Sequence, residues 1–523
     1  MTRPGARQPG TNADANADTI VDALTRYAAS TPGQPAYLDA GRALSYADLA
    51  TAARRGAAWL ARHGVRPGDI VALPLDSSSA SARRAIEVLY AIAHAGAVAL
   101  PLFPEVPLAA RIELIDRYGA HWLLASGALP AAITARAIDP RGFDPADPRL
   151  DTPAAARADR GDAAFAYLFT SGTTGAPKVL LPTHGQFHAN SRAAALSIGM
   201  DASDRQLAAV PWPSGVGLRY LFRAHAVGAA FVAAPLGETR AELAATLARF
   251  GVTRISASPW QVRRLLQSPP AAMPLLRSAH VIGASISEAE IEAARAGLTP
   301  NIYVGYGCNE LGAVTLLAPG VAVPGSVGAL LPGIEARADG ADGKALPPGA
   351  VGELGFRAAW MCTGYAGNPA ATRERFRDGW FYPGDAGSID AQGHVFLRGR
   401  TQEIINYGGL KIWPEDIEAV LKLHPDVLDA ALVGLPDPMS GQVPAAFLVP
   451  RTPLDQSLGA QLGEDALRRF CAARIDGSRV PQVFVAVAEI PRNESGKIMR
   501  GALIEAYQRT QDALRGAAPR RPA

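Results

Sequence analysis

The ten residues Phe169 to Lys178, FTSGTTGAPK, bring a serine, three threonines, two glycines and a lysine into one short stretch. That is the chemistry of a phosphate cradle. Backbone N–H groups of a Gly-rich turn converge on an anion, hydroxyls add donors, and the lysine adds a positive charge. The nucleoside-triphosphatase loop GxxxxGK[ST] does not fit. Counting from Gly172 sets Pro177 where the second glycine belongs and Val179 where the Mg²⁺-binding hydroxyl belongs. Taken alone, the stretch reads equally well as a Ser/Thr/Gly surface turn.

Four further clusters carry polar chemistry. YGCNELG (Tyr306 to Gly312) offers an aromatic face beside the carboxylate of Glu310, and YPGDAG (Tyr382 to Gly387) sets Asp385 in a tight turn. LRGRTQEIINYGG (Leu397 to Gly409) carries Arg400, and PRNESGKIMR (Pro491 to Arg500) carries Lys497 in a Gly-containing loop. Each has a plainer reading: Tyr306 as core, Glu310 and Arg400 as solvated charges, Asp385 as an Asx-turn residue, Lys497 as a surface lysine.

The elements that must position these residues follow from pattern. Apolar runs at 70–75, 97–100, 122–126, 165–171, 207–211, 231–235, 254–258 and 280–285 read as buried strands, and NIYV as the strand leading into YGCNELG. Helical patterns alternate with them, as in Tyr46 to Arg62, where Ser45 is the N-cap and Asp48 stands three residues on. Alternation predicts parallel sheets covered on both faces, with sites at the carboxyl ends of strands. FTSGTTGAPK follows the strand-like FAYLFTS, which favours the phosphate reading. After about Pro319 the segments shorten between Gly/Pro turns, predicting an antiparallel, barrel-like portion. From Thr401 a compact α+β unit of roughly 120 residues follows.

Composition narrows the class. At 523 residues the chain exceeds what one core supports, so several domains are expected. It is 48% hydrophobic and 19% charged, with a net charge of +3, which gives no electrostatic case for nucleic acid or a membrane surface. Three dispersed cysteines and nine histidines show no metal-ligand or disulfide spacing, and the cytoplasm is the default compartment. Residues 1–18 are polar and lack the apolar stretch of a signal peptide, which predicts a flexible tail. The longest apolar run, Val88 to Phe103, is broken by His94, Gly96 and Pro101 and falls short of the ~20 residues a bilayer requires.

Taken together and in this order, SGTTGAPK, YGCNE, YPGD, GRTQEIINYGG and ESGK resemble the adenylate-forming superfamily of acyl-CoA and aryl-CoA synthetases, firefly luciferase and nonribosomal peptide adenylation domains. The resemblance runs from about Thr19 to Tyr507. It implies an α/β fold: a large N-terminal AMP-binding domain (19–401) of two α/β subdomains plus a β-barrel-like one, and a small mobile α+β C-terminal domain (402–523). It implies ATP-dependent activation of a small carboxylic acid to an acyl-AMP, with Mg²⁺, followed by transfer to a thiol of CoA or of a carrier-protein phosphopantetheine.

The implied roles fall residue by residue. Thr170, Ser171, Gly172, Thr173, Thr174, Gly175 and Lys178 would hold the ATP phosphates, and Glu310 would hold Mg²⁺ and act in catalysis. Gly283, Ala284 and Ser285 would lie along adenine, with Tyr306 stacked on it beside Gly307 and Asn309. Asp385 and Arg400 would bind the ribose hydroxyls, Gln402 would be the hinge, and Gly408 and Gly409 would line a thiol tunnel. Lys497 would bridge the substrate carboxylate and the α-phosphate. Trp212, Ser214, Gly215, Arg219, Tyr220 and Val304 are the acyl-pocket candidates. The chain departs from the family at Val179, where Gly is usual, at Asn309, where Thr is usual, and at Gln402, where Asp or Lys is usual. No acidic residue occurs across Val210 to Tyr220, so a buried α-ammonium would lack a counter-ion and amino-acid substrates are disfavoured. An apolar or aromatic acid, with or without a polar substituent, fits better. The remaining readings are an enzyme that loads an acyl carrier protein and a non-catalytic nucleotide-binding relative.

Overall fold

Helix starts are written as Ser/Thr-x-x-acid or amide signatures in which side chain and backbone cap each other. Ser45 and Asp48 form such a box ahead of the helix Tyr46–Arg62, as the sequence predicts. Thr183 with Gln186 opens His184–Ser197, and Ser287 with Glu290 opens Glu288–Gly297. The computed structural model describes residues 18–40, 43–75, 79–103, 106–125, 137–151, 161–169, 178–209, 214–451, 463–492 and 497–517. The phosphate-loop residues Thr170 to Gly175 and the pocket candidate Trp212 therefore lie outside the described residues, as does nearly all of the N-terminal tail.

The chain divides into two compact units, Met1–Ala336 with Phe356–Phe381, and Arg337–Gly355 with Tyr382–Ala523. The expected boundary at Thr401/Gln402 falls inside the second unit.

In the first unit six parallel strands run in the order Ile302–Cys308, Ser278–Ile282, Arg254–Ala257, Arg205–Ala208, Ala230–Val232 and Pro35–Leu38. Antiparallel strands Gly312–Leu317 and Ala329–Leu330 extend one edge, and Ala43–Ser45 extends the other. Leu207, Ile255, Val281 and Ile302 from the strands meet Leu243, Leu247, Leu265 and Ile291 from helices in one core. Each such side chain, fully buried, contributes about 1.5–3 kcal/mol of transfer free energy. A second, parallel sheet joins Val98–Leu102, Ile70–Pro74, Trp122–Leu124 and Ala137–Ile138. A two-stranded hairpin pairs Leu168–Phe169 with Val179–Leu180, Phe169 opposite Val179. The expected strand before YGCNELG is longer than NIYV: it continues through Tyr306 and Gly307 to Cys308, because Gly312–Leu317 folds back and pairs with it.

In the second unit the hairpin Asp385–Ile389 and Val395–Arg400 places Asp385 opposite Arg400. Gly352 and Glu353 pair with Gly387 and Ala386 on its other side. A second sheet is built on the long hairpin Val427–Asp437 and Gly441–Pro450, with Val483–Ala486 parallel at one edge. Successive strand residues face opposite ways. Ala430 and Leu432 therefore join Ile417, Leu421, Leu467 and Cys471 from two helices, while Ala431, Val433 and Phe447 join Leu503 from the terminal helix Arg500–Ala517. Among the described residues, no helix is long and apolar enough to cross a membrane.

Candidate active site

Glu310 sits in the turn between the strands Ile302–Cys308 and Gly312–Leu317, and it is 8% exposed. Every residue of this turn is held from outside. Arg219 donates to the Asn309 carbonyl, the Cys362 N–H donates to the Glu310 carbonyl at 3.0 Å, and Asn190 Nδ2 donates to the Leu311 carbonyl at 2.8 Å. The fourth residue, Gly312, has φ of +78°, and a Cβ there would lie 1.9 Å from Asn190 Oδ1, so only glycine lets Asn190 close on the turn. The carboxylate accepts a 2.6 Å hydrogen bond from the Tyr365 hydroxyl. Burial first, then the neighbouring Glu310 charge, hold the Tyr365 phenol well above its ordinary pKa, so it stays a donor. Among the described residues no lysine, arginine or histidine forms an ion pair with Glu310. A buried carboxylate with hydroxyl support and no contact ion pair among the described residues, the Arg219 guanidinium acting on it only through space, suits a divalent cation. No group of three or more His, Cys, Asp or Glu side chains among the described residues could hold a metal by itself, so one carboxylate plus ligand oxygens is the available donor set.

The acyl-pocket candidates separate. Ser214 caps the helix Gly215–His225, its Oγ accepting from the Gly217 N–H at 3.0 Å. Gly215 lies close to the turn, and a Cβ there would stand 3.3 Å from the Phe169 carbonyl and 3.6 Å from Asn309 Oδ1. Arg219 braces the Glu310 turn: it also reaches Asn190 Oδ1 at 3.2 Å and lies 5.0 Å from the centroid of the Phe187 ring. Tyr220 is buried, and Val304 belongs to the core of the large sheet.

Tyr306, part-buried in its strand, has its ring centroid 5.8 Å from that of Phe356 at an interplanar angle of 45°. Gly307 is packed so closely on the opposing strand that a Cβ would fall 2.4 Å from the Gly312 carbonyl oxygen. Gly283, at φ of +106°, Ala284 and Ser285 follow the strand Ser278–Ile282, next to Gly305 through the Ile282 pairing. Gly283 and Ser285 are exposed. Lys178 ends the expected phosphate loop at the start of the Val179–Leu180 strand, its Nζ 5.1 Å from the centroid of the Tyr365 ring. Tyr365 is thereby shared between Lys178 and Glu310.

In the second unit, Arg400 Nε pairs with Asp385 Oδ1 at 2.8 Å, and Arg400 Nη1 donates to the Pro383 carbonyl at 2.9 Å. Asp385 is buried while the Arg400 side chain is 41% exposed, so the pair presents one fixed carboxylate and one partly solvated guanidinium. Gln402 is exposed in the turn that follows, where the Glu403 N–H donates to the Arg400 carbonyl. Gly408 and Gly409, both at positive φ, turn the hairpin Ile405–Tyr407 and Leu410–Ile412, exposed and with open space around them. Lys497 is part-buried beside the Arg492–Ile498 bridge.

Three residues beyond Lys497, Arg500 gathers three carboxylates: Glu403 at 2.7 Å, Glu418 at 2.5 Å and Glu415 at 3.4 Å. Glu415 Oε2 is buried without a partner, and a Cβ at Gly399 (φ +130°) would lie 2.1 Å from it. Burial, ahead of the Glu418 and Glu403 charges, pushes the Glu415 carboxyl up to about 7 against the pull of Arg500.

Asn190, Cys362, Tyr365 and Arg500 escaped the sequence reading. They act through long-range polar contacts that leave no local periodicity. The one available signal was Arg219 and Arg223 four apart in the largely apolar helix Gly215–His225.

Residues 24–366 match the AMP-binding enzyme family, and residues 416–497 match the AMP-binding enzyme C-terminal domain. A fatty acid–[acyl-carrier-protein] ligase of Streptomyces coeruleorubidus is 31% identical over 94% of this chain and 96% of its own length. A 2-succinylbenzoate–CoA ligase of Geobacillus kaustophilus is 31% identical over 95% of this chain and 100% of its own length. Among solved structures, an o-succinylbenzoate CoA synthetase from Bacillus subtilis in complex with its acyl-adenylate intermediate aligns with a TM-score of 0.77 at 26% identity, over 93% of this chain and 98% of that one. ATP-bound MatB from Rhodopseudomonas palustris aligns at 0.82 and 27% identity, over 93% of this chain and 99% of that one. The α/β architecture with a large N-terminal and a small C-terminal domain, expected from the sequence, is borne out. This chain belongs to the AMP-binding enzyme family.

Proposed function

We propose that the protein activates a small carboxylic acid as an acyl-AMP and then passes the acyl group to the thiol of CoA. A carboxylate resists nucleophiles because negative charge masks its carbonyl carbon. In the first step a carboxylate oxygen forms a bond to the α-phosphorus of ATP and pyrophosphate leaves. In the second, the thiol sulfur bonds to the acyl carbon and AMP leaves. The first step brings two anions together, and aligned cations and donors offset their repulsion, electrostatic help worth several kcal/mol.

The observation that carries this reading is Glu310, a buried carboxylate in a fully braced turn with no protein cation paired to it among the described residues. It would hold Mg²⁺, which when bound would neutralise phosphate charge. Lys178 and the preceding loop would bind the β- and γ-phosphates, and Tyr306 would flank adenine with Gly283 to Ser285. Asp385, kept in place by Arg400, would accept from the ribose hydroxyls. Lys497 would place a compact cation on oxygens whose geometry changes during reaction, a task that suits ammonium better than a guanidinium fork. Gln402 would absorb the backbone change between the two steps, and Gly408 and Gly409 would leave room for the thiol arm.

A second acceptor has a specific observation behind it: the Streptomyces coeruleorubidus relative is a ligase for an acyl carrier protein. Pyrophosphate exchange across a carboxylic-acid library tests the first step, and AMP release with CoA, with a phosphopantetheinylated carrier protein, or with neither identifies the acceptor. In Lys497→Ala the exchange rate should fall about 10²-fold or more, the scale of losing an oxyanion donor. A wild-type exchange rate in that variant refutes the role given to Lys497.

A further inference from the structure

The segment that carries Lys497 is held at both ends by arginine. At one end Arg492 pairs with Asp429 at 2.6 Å and forms an antiparallel bridge with Ile498. The Met499 N–H returns to the Pro491 carbonyl at 2.8 Å, so the backbone leaving Lys497 is tied to the backbone that precedes the loop. At the other end stands Arg500, the first residue of the helix Arg500–Ala517. A cation there opposes the positive end of the helix dipole, and the first turn has no acidic residue to offset it. Its partners must come from elsewhere in the fold.

Three carboxyl groups supply them. Arg500 Nε meets Glu403 at 2.7 Å, Nη1 meets Glu418 at 2.5 Å, and Nη2 faces Glu415 at 3.4 Å. Nη1 also donates to the Leu432 carbonyl at 3.3 Å. Every nitrogen of the fork is engaged, and the side chain is 13% exposed. Glu418 is fixed in turn, because its Oε1 accepts from the Leu432 N–H at 2.8 Å. Arg500 is thereby joined to the helix Pro414–Leu421 and the strand Val427–Asp437. For stability alone such a cluster is a poor choice, since taking charges out of water costs several kcal/mol per ion and apolar residues of similar volume often serve as well. What it supplies is direction, because a planar fork on three carboxyl groups accepts one orientation.

Glu403 gives that orientation a use. It directly follows Gln402, the expected hinge, and 97 positions separate it from Arg500. One guanidinium therefore grips the first residue past the hinge and stands three residues from Lys497. We propose that Arg500 is a positioning residue for the adenylation step: it joins the segment after the hinge to the Lys497 loop, so that Lys497 travels with that segment as one piece and reaches the α-phosphate in register. The inference rests on the proposed acid activation and on the role given there to Lys497, and it adds a residue that acts through that lysine. A misplacement of ~1 Å at a reacting centre can cost ~10²-fold. Lys497 has a task only in the first step, so thioester formation serves as the internal control.

The test compares wild type, Arg500→Lys, Lys497→Ala and the double variant in two assays. One is pyrophosphate exchange with an acid that wild type accepts; the other is thioester formation from CoA and the synthetic acyl-AMP of that acid. In Arg500→Lys the kcat of exchange should fall ~10-fold or more with KM for ATP and acid little changed, while thioester formation stays near wild type. Adding Arg500→Lys to Lys497→Ala should cost little more, because residues that act through one another are not additive. An arginine that merely stabilises the domain would slow both steps alike and compound with Lys497→Ala. Either result overturns the inference, as does a wild-type exchange rate in Arg500→Lys, and all three leave acid activation standing. Should Arg500→Lys lose its cooperative melting transition, Glu403→Ala, which leaves Arg500 on Glu418 and Glu415, decides by the same comparisons. Wild type without exchange on any acid of the library overturns acid activation and the inference with it.

Discussion

Replacing Glu415 by glutamine should change how stability depends on pH, with a sign that can be worked out in advance. The carboxyl titrates near 4.5 when free and is pushed up to about 7 in the folded protein. Between those values the native state keeps a proton that the unfolded chain has released, so unfolding free energy falls as pH rises through the window. The stabilisation is complete below pH 4.5 and gone above about 7. A shift of this size corresponds to ~3 kcal/mol at most. The side chain as a whole is 32% exposed although Oε2 is sealed, and allowing for solvent screening leaves ~1–2 kcal/mol. Glutamine keeps the shape and cannot ionise. Relative to wild type, Glu415→Gln should therefore gain ~1–2 kcal/mol between pH 4.5 and pH 8, about 1–2 °C in Tm for a chain of this length. Thermal melts of the full chain at half-unit pH steps read this directly. If the variant instead loses ground to wild type with rising pH, the attraction between ionised Glu415 and Arg500 outweighs burial, and the reasoning is wrong.

Gly312→Ala should lower Tm by several degrees and reduce pyrophosphate exchange at least 10-fold, because φ of +78° and the 1.9 Å approach to Asn190 Oδ1 forbid a side chain; wild-type melting would show that the turn is not so closed. Tyr365→Phe removes the hydroxyl that supports the Glu310 carboxylate, a bond to a charged group worth ~1.5–3 kcal/mol. Mg²⁺ titration of pyrophosphate exchange should show weaker dependence on the metal by 10-fold or more, and an unaltered midpoint counts against Glu310 as its ligand. Gln402→Pro should spare pyrophosphate exchange and suppress thioester formation; equal loss of both argues against a hinge at that residue.

Local chemistry was legible in the sequence wherever it is short-range. The Ser45/Asp48 box and the helix Tyr46–Arg62 match the prediction residue for residue. Buried strands such as Ile70–Pro74 and Arg254–Ala257 match their apolar runs because both faces are covered. The strand into the Glu310 turn was read four residues too short, since polar Tyr306 and Cys308 with Gly305 and Gly307 carry no apolar signal; cross-strand pairing extends it. Arg219 was grouped with the acyl pocket from its neighbourhood in the chain, and the fold shows it on the Asn309 carbonyl. Nothing in the spacing of Asn190 and Tyr365 announces that they meet opposite sides of one turn, because 121 and 55 positions separate them from Leu311 and Glu310.

That separation has a consequence during synthesis. Asn190, Arg219 and Glu310 are all made before Cys362 and Tyr365, so a nascent chain ending short of Cys362 has its acidic turn pinned at Asn309 and Leu311 while Glu310 between them lacks both its backbone and its carboxylate partner. The last two clamps arrive only when the ribosome has released that later segment. Metal-dependent chemistry should accordingly be silent in every truncated chain that stops before Tyr365, however well its parallel sheet has already formed.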